Sequence, residues 1–171
     1  MKSKKIFMAL SLCTLGSVAN AATYTNPAGT TVDVSTNGEI NLNTGDTYIN
    51  NGTITASAPN PSAYSYLIIG SEGAKIENNG IIRGIEKGIT IYGTVGGERG
   101  TFRNTGYMEI NDPDNKVSNV TVEISNSDGY NSSSGTIKSN MDAVRIGKGS
   151  RFTNDGLIEA GRDGIKSKRK V

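Results

Sequence analysis

Histidine and tryptophan are missing from this chain, and its single cysteine, Cys13, sits in an apolar stretch near the start. Without histidine there is no imidazole metal ligand and no catalytic triad of the Ser-His-Asp type. With one cysteine there is no intramolecular disulfide. Aromatic residues are few, 7 Tyr and 3 Phe, and no long apolar run interrupts residues 22–171. A thick-cored globule is therefore excluded, and stability has to come from backbone pairing around a narrow interior.

Residues 1–21 have the layout of a secretory signal. Lys2, Lys4 and Lys5 precede the apolar stretch Ile6 to Val18, and Ala19-Asn20-Ala21 offers an A-x-A cleavage site before Ala22. That stretch is short of the roughly 20 residues a membrane-spanning helix needs. Leu12 before Cys13 argues against a lipoprotein signal, which wants small residues there. Removing the three lysines leaves 15 Lys and Arg against 16 Asp and Glu. Setting aside Lys166, Lys168, Arg169 and Lys170 as well makes the body mildly acidic, so no electrostatic footprint for nucleic acid is present.

What the chain has instead is repetition. Tyr48-Ile-Asn50-Asn51-Gly52-Thr-Ile54, Ile76-Glu-Asn78-Asn79-Gly80-Ile-Ile82, Phe102-Arg-Asn104-Thr-Gly106-Tyr-Met108 and Phe152-Thr-Asn154-Asp-Gly156-Leu-Ile158 share one pattern. Relative to the glycine, an apolar residue stands four before, Asn two before and an apolar residue two after. Blurred copies surround Gly38 and Gly135, and from Gly52 onward the glycines recur at steps of 28, 26, 29 and 21 residues. Such a period marks a solenoid. The apolar positions read as short strands, and the Asn-x-Gly between them as a sharp turn in which Gly supplies positive φ and Asn tolerates it. Stacked one coil per repeat, Asn50, Asn78, Asn104 and Asn154 would form an amide ladder, with Tyr48, Ile76, Phe102 and Phe152 stacked inside. The competing reading is a meander of hairpins on Asn-Gly turns, which needs no constant period.

A second strand per coil is expected at Tyr66–Gly70, Gly88–Gly93, Val120–Ile124 and Ala143–Gly147. Residues 22–47 read as a cap or first coil, 48–165 as the repeats and 166–171 as a basic tail. Loops are expected at Ala56–Ser62, Asn111–Ser118 and Ser125–Ser134.

The runs Gly88-Ile-Thr-Ile91 with Gly100-Thr-Phe102-Arg-Asn104-Thr-Gly106, and Ile146 through Ile158, resemble the passenger repeats of bacterial autotransporters. The resemblance covers roughly residues 30–165. It implies an all-β, right-handed parallel β-helix of five or six coils, exported by type V secretion to the cell surface or outer membrane, otherwise to the periplasm. It also implies an adhesin-like stalk that contacts host or neighbouring-cell surface ligands. The family's translocating C-terminal barrel is not found in this sequence, where the repeat fails at Ser167. A passenger cut short is the expectation, with self-association through an open end coil as a further partner.

Chemistry has few places to reside. Asp142 and Asp163 occupy matching contexts 21 residues apart, which on adjacent coils puts two carboxylates about 5 Å apart, the separation of a retaining glycosidase. The alternative function is thus a polysaccharide lyase or hydrolase using that pair, against a repeated turn residue damped by Arg145 and Lys166. Asp112-Pro-Asp114-Asn115 with Glu123 has part of a calcium loop's spacing. Gly93–Gly100 is Gly-rich but lacks the Lys-Ser/Thr of a phosphate loop. Asn51, Asn119 and Asn131 begin Asn-x-Ser/Thr triplets. The reading assigns no catalytic residue, no metal and no cofactor.

Overall fold

The computed structural model describes residues 20–57, 66–113 and 119–167. The chain winds through six coils, each contributing one strand to each of three sheets. The first coil holds β1 (Thr23–Asn26), β2 (Thr31–Asp33), the single-turn helix α1 (Val34–Asn37) and β3 (Ile40–Leu42). The second holds β4 (Thr47–Asn50), β5 (Thr53–Thr55) and β6 (Ile68–Gly70), and the third β7 (Lys75–Asn78), β8 (Ile81–Gly84) and β9 (Ile89–Tyr92). The fourth holds β10 (Gly100–Asn104), β11 (Tyr107–Ile110) and β12 (Val120–Ser125). The fifth holds β13 (Ser127–Asn131), β14 (Thr136–Ser139) and β15 (Asp142–Ile146), and the sixth β16 (Arg151–Asn154), β17 (Leu157–Ala160) and β18 (Ile165–Ser167).

Sheet A runs β1-β4-β7-β10-β13-β16, sheet B runs β2-β5-β8-β11-β14-β17, and sheet C runs β3-β6-β9-β12-β15-β18. Neighbouring strands are parallel throughout these sheets, so the hairpin reading falls. This is a parallel β-solenoid of about five turns, some 24 Å from first rung to last at ordinary strand spacing.

The interior is a set of stacked columns. Sheet A supplies Tyr24, Tyr48, Ile76, Phe102, Gly129 and Phe152 in register. Sheet B supplies Val32, Ile54, Ile82, Met108, Ile137 and Ile158, and sheet C supplies Ile40, Ile68, Ile89, Val122, Val144 and Ile165. Central members are fully buried, Ile54, Ile82, Met108 and Ile137 all at 0% exposure. Alternation sends the intervening side chains outward, as the period of two requires.

Four expectations change. The phrase glycines Gly52, Gly80, Gly106 and Gly156 do not have positive φ; among the described residues that conformation belongs to Gly45, Gly73, Gly96 and Gly149 in the turns entering sheet A, and to Gly29 and Gly38 in the first coil. The phrase glycines are needed for close approach: a Cβ on Gly52 would lie 2.5 Å from the carbonyl oxygens of Pro27 and Thr30, and on Gly80 or Gly106 closer still to the carbonyl below. Nor are the ladder asparagines left-handed, Asn126 being the non-glycine residue with positive φ among those described.

Secondly, the blurred copy around Gly38 is no coil repeat. Asp33 caps α1 there by accepting from the Ser35 N–H, and Asn37 is exposed. The true first phrase starts at Tyr24-Thr25-Asn26. Thirdly, Ser125–Ser134 is not a surface loop, since β13 lies within it and pairs with β10 and β16. Fourthly, Lys166 and Ser167 belong to β18, paired with β15, and not to a tail. The signal segment with Cys13, and Lys168–Val171, lie outside the described residues.

Candidate functional site

Two polar structures stand out from the apolar columns: a ladder inside the solenoid and a charge cluster on sheet C. In the ladder, each asparagine Nδ2 donates to the Oδ1 of the next coil. Asn26 to Asn50 spans 2.8 Å, Asn50 to Asn78 2.7 Å, Asn78 to Asn104 2.8 Å, Asn104 to Asn131 2.8 Å and Asn131 to Asn154 2.7 Å. The same Nδ2 also reaches a carbonyl of the next strand in sheet B: Thr53, Ile81, Tyr107, Thr136 and Leu157 in turn. Each amide thus ties two coils and closes the corner between sheets A and B. Asn50, Asn78, Asn104 and Asn131 are completely buried, which a side-chain amide tolerates because its donors and acceptor are satisfied. At the first coil the Thr30 hydroxyl donates to Asn26 Oδ1.

The sequence pattern finds four of these six rungs. Asn26 and Asn131 escape it because four residues, not two, separate each from the next strand of sheet B. Gly129 also replaces the leading apolar residue of the fifth coil. The Phe152 ring takes the space a Cβ there would need. Measured between ladder asparagines, the steps are 24, 28, 26, 27 and 23 residues, more even than the glycine steps.

On sheet C, the corner entering β15 places Asp142 at 0% exposure. Its Oδ2 accepts from Arg145 Nη2 at 3.0 Å, its Oδ1 from Arg162 Nε at 2.6 Å, and Lys166 Nζ stands 3.9 Å away. Burial pushes this carboxyl up, but the hydrogen bonds from Arg162 and Arg145 and the nearby positive charges outweigh it and hold it below the usual carboxylate range. Asp163 is more exposed and pairs with Lys166 at 2.9 Å. The two aspartates therefore sit on successive coils, as their spacing requires, with three cations around them. Arg145 continues to Glu123 at 3.3 Å, and the Tyr66 hydroxyl donates to Glu123 at 2.6 Å. Lys87, nearly buried, lies over the Tyr66 ring at 5.2 Å. The sequence pointed to Asp142, Asp163, Arg145 and Lys166, and to Tyr66 only as the start of a strand; it gave no sign that Tyr66, Arg162 or Lys87 would join this cluster.

Chemically, Asp142 is saturated by guanidinium groups and carries a depressed pKa, the reverse of what a proton-donating carboxylic acid requires. Glu123 is engaged by Tyr66 and Arg145, while Asp112 accepts from Asn119 Nδ2 at 2.8 Å, so these two residues serve different neighbourhoods. Asp114, Asn115 and Ser118 lie outside the described residues. Among the described residues no group of three or more acidic, Cys or His side chains is placed to hold a metal. In the Gly93–Gly100 turn, Glu72 accepts from the Thr94 hydroxyl at 3.1 Å and crowds the space over Gly97, putting negative charge where a phosphate would need positive. Of the triplet asparagines, Asn131 is locked in the ladder and Asn119 is 3% exposed, leaving Asn51 alone at the surface.

No family model, curated protein or solved structure matches this chain. The class it belongs to is set by its architecture: a parallel β-solenoid with a buried asparagine ladder.

Proposed function

We propose that this chain is an exported, non-catalytic rod of the kind autotransporter passengers form, acting at or beyond the cell envelope as an adhesin-like stalk. The observation that carries this reading is the continuous ladder inside a three-sheeted parallel solenoid, preceded by a secretory signal pattern. Stacked coils joined by backbone and amide hydrogen bonds give stiffness without disulfides, metals or a thick core, which suits export of an extended surface. The passenger-like repeats support the same reading, and the surface it presents to host or neighbouring-cell ligands is the outer side of its sheets. The alternative, polysaccharide cleavage by Asp142 and Asp163, draws support from their stacking. It is weakened by the two arginines that occupy both oxygens of Asp142.

Expression of the full chain in a Gram-negative host, followed by N-terminal sequencing of the extracytoplasmic fraction, should give Ala22 as the first residue. Retention in the cytoplasm with Met1 intact refutes export. Incubation with acidic polysaccharides should release no oligosaccharide. Release that disappears in Asp142→Asn and Asp163→Asn would replace the stalk by the enzyme.

A further inference from the structure

The outer face of sheet B carries two rows in register. One runs Thr31, Thr53, Ile81, Tyr107, Thr136, Leu157, and the other Asp33, Thr55, Arg83, Glu109, Lys138, Glu159. Ile81 and Leu157 are among the few large apolar side chains left exposed, at 36% and 47%. In the second row the last four coils alternate in sign. Arg83 contacts Glu109 at 3.5 Å and Lys138 contacts Glu159, yet all four side chains stay a third or more exposed. Arg83 also lies over the Tyr107 ring at 5.1 Å.

The order plus, minus, plus, minus has a property the individual pairs do not. Reversed end to end, it becomes its own complement. We propose that this face binds a second copy of the same chain, with the two solenoid axes antiparallel and a two-fold axis along the strand direction between β11 and β14. Such an axis keeps each row facing itself while inverting the order of coils. Arg83 then faces Glu159 of the other copy, Glu109 faces Lys138, and Ile81 faces Leu157. Moving the axis by half a coil, onto β11, sets Glu109 against Glu109 and Arg83 against Lys138. Moving it half a coil further the same way, to between β8 and β11, sets Asp33 against Glu159. The charges therefore select one register, as like charges opposed across an interface disfavour the others.

The overlap is four rungs by about four residues, roughly 14 Å by 13 Å. That is well under the roughly 800 Å² per partner of a stable complex, so the association is weak and salt-sensitive. Its value would come from many copies displayed side by side, where weak contacts add. This inference does not depend on the export reading, since it rests on sheet B alone.

Sedimentation velocity of the full chain, from about 20 μM to about 2 mM at low salt, tests it. A monomer–dimer equilibrium that weakens as salt is raised is expected. Arg83→Glu and Glu159→Arg each place two like-charged pairs across the two-fold axis and should each weaken dimerisation about tenfold. An equimolar mixture of the two variants restores every opposition and should recover the wild-type constant, as should the double variant. Both positions are exposed, and an unchanged circular dichroism melt confirms the fold. A wild-type chain that stays monomeric overturns the proposal and leaves this face to a different partner. Association that ignores both single substitutions, or is not rescued by mixing them, overturns it equally and points to contact elsewhere, such as the end coil.

Discussion

Replacing Asn104 by Ala cuts the ladder at its middle. Asn104 Nδ2 donates to Asn131 Oδ1 at 2.8 Å and to Thr136 O at 3.2 Å, and its Oδ1 accepts from Asn78 at 2.8 Å. Asn78 keeps its second acceptor, Tyr107 O, but Asn131 Oδ1 is left buried without a donor. The three lost hydrogen bonds cost about 1 kcal/mol each and the stranded oxygen about 1–3 more, so a loss of about 4–6 kcal/mol is expected. The control is Asn154→Ala at the last rung. There the side chain is exposed, water replaces the partner, and the loss should stay near 1 kcal/mol. Urea unfolding followed by circular dichroism measures both. A midpoint shift at constant slope reports stability, whereas a fallen slope for Asn104→Ala would mean that the coils on either side have begun to unfold separately. Asn104→Asp sharpens the test. It keeps the shape but turns an acceptor or a buried charge toward Asn131 Oδ1, and it should be worse than Ala at neutral pH and partly relieved in acid. If Asn104→Ala costs no more than Asn154→Ala, the amide stack is incidental and the argument from it fails.

Other consequences follow from single contacts. Gly106→Ala drives a Cβ into the Gly80 carbonyl of the coil below, where only backbone could yield. A loss of about 3 kcal/mol or more, or failure to fold, is expected in the same urea assay, and a neutral result would refute the close-approach reading. Asp142→Asn should cost roughly 3 kcal/mol, because Arg145 and Arg162 lose a buried counter-charge, while Asp163→Asn at the surface should change stability by about 0.5 kcal/mol or less. Since the Asp142 carboxyl is held below its unfolded value near 3.9, its contribution is complete above that pH and drains away as pH falls through the folded value. The acid limb of the stability curve should therefore flatten in Asp142→Asn. Tyr48 runs the opposite way: burial pushes its phenol up to about 12, so its contribution is complete below pH 10 and lost as the pH climbs toward 12. Tyr48→Phe should raise the midpoint of alkaline unfolding, and an unmoved midpoint would assign that transition to other groups.

How much of this was legible depended on whether a residue's role repeats. Asn50, Asn78, Asn104 and Asn154 could be read because three constraints recur at fixed offsets: an inward apolar side chain, an amide at the corner, and a glycine pressed against the coil below. Where one constraint is met differently, the pattern breaks although the structure does not. The Phe152 ring fills the column over Gly129, and the longer corner after Asn131 hides that rung in a serine-rich run that reads as a loop. Asn37-Gly38 errs the other way, matching the phrase by composition while Asp33 turns the segment into a helical turn. The reason given for the phrase glycines was also wrong, because turn propensity and steric exclusion select the same residue. The Asp142 pair was visible as a repeat. Arg162, Tyr66 and Lys87 were not, since their contacts are fixed by packing on the outside of sheet C, where no period constrains the sequence.

The amide stack also has a direction. Each rung-to-rung bond runs from an Nδ2 to the Oδ1 of the later coil, so these bonds all point one way and the two ends of the solenoid are chemically distinct. The first end offers an oxygen already engaged by the Thr30 hydroxyl. The last offers Asn154, whose nitrogen donates only within its own corner, to Gly156 O at 3.0 Å. Any rung laid over that end, from whatever source, would have to bring a carbonyl to meet it, and one presenting a second donor would be turned away.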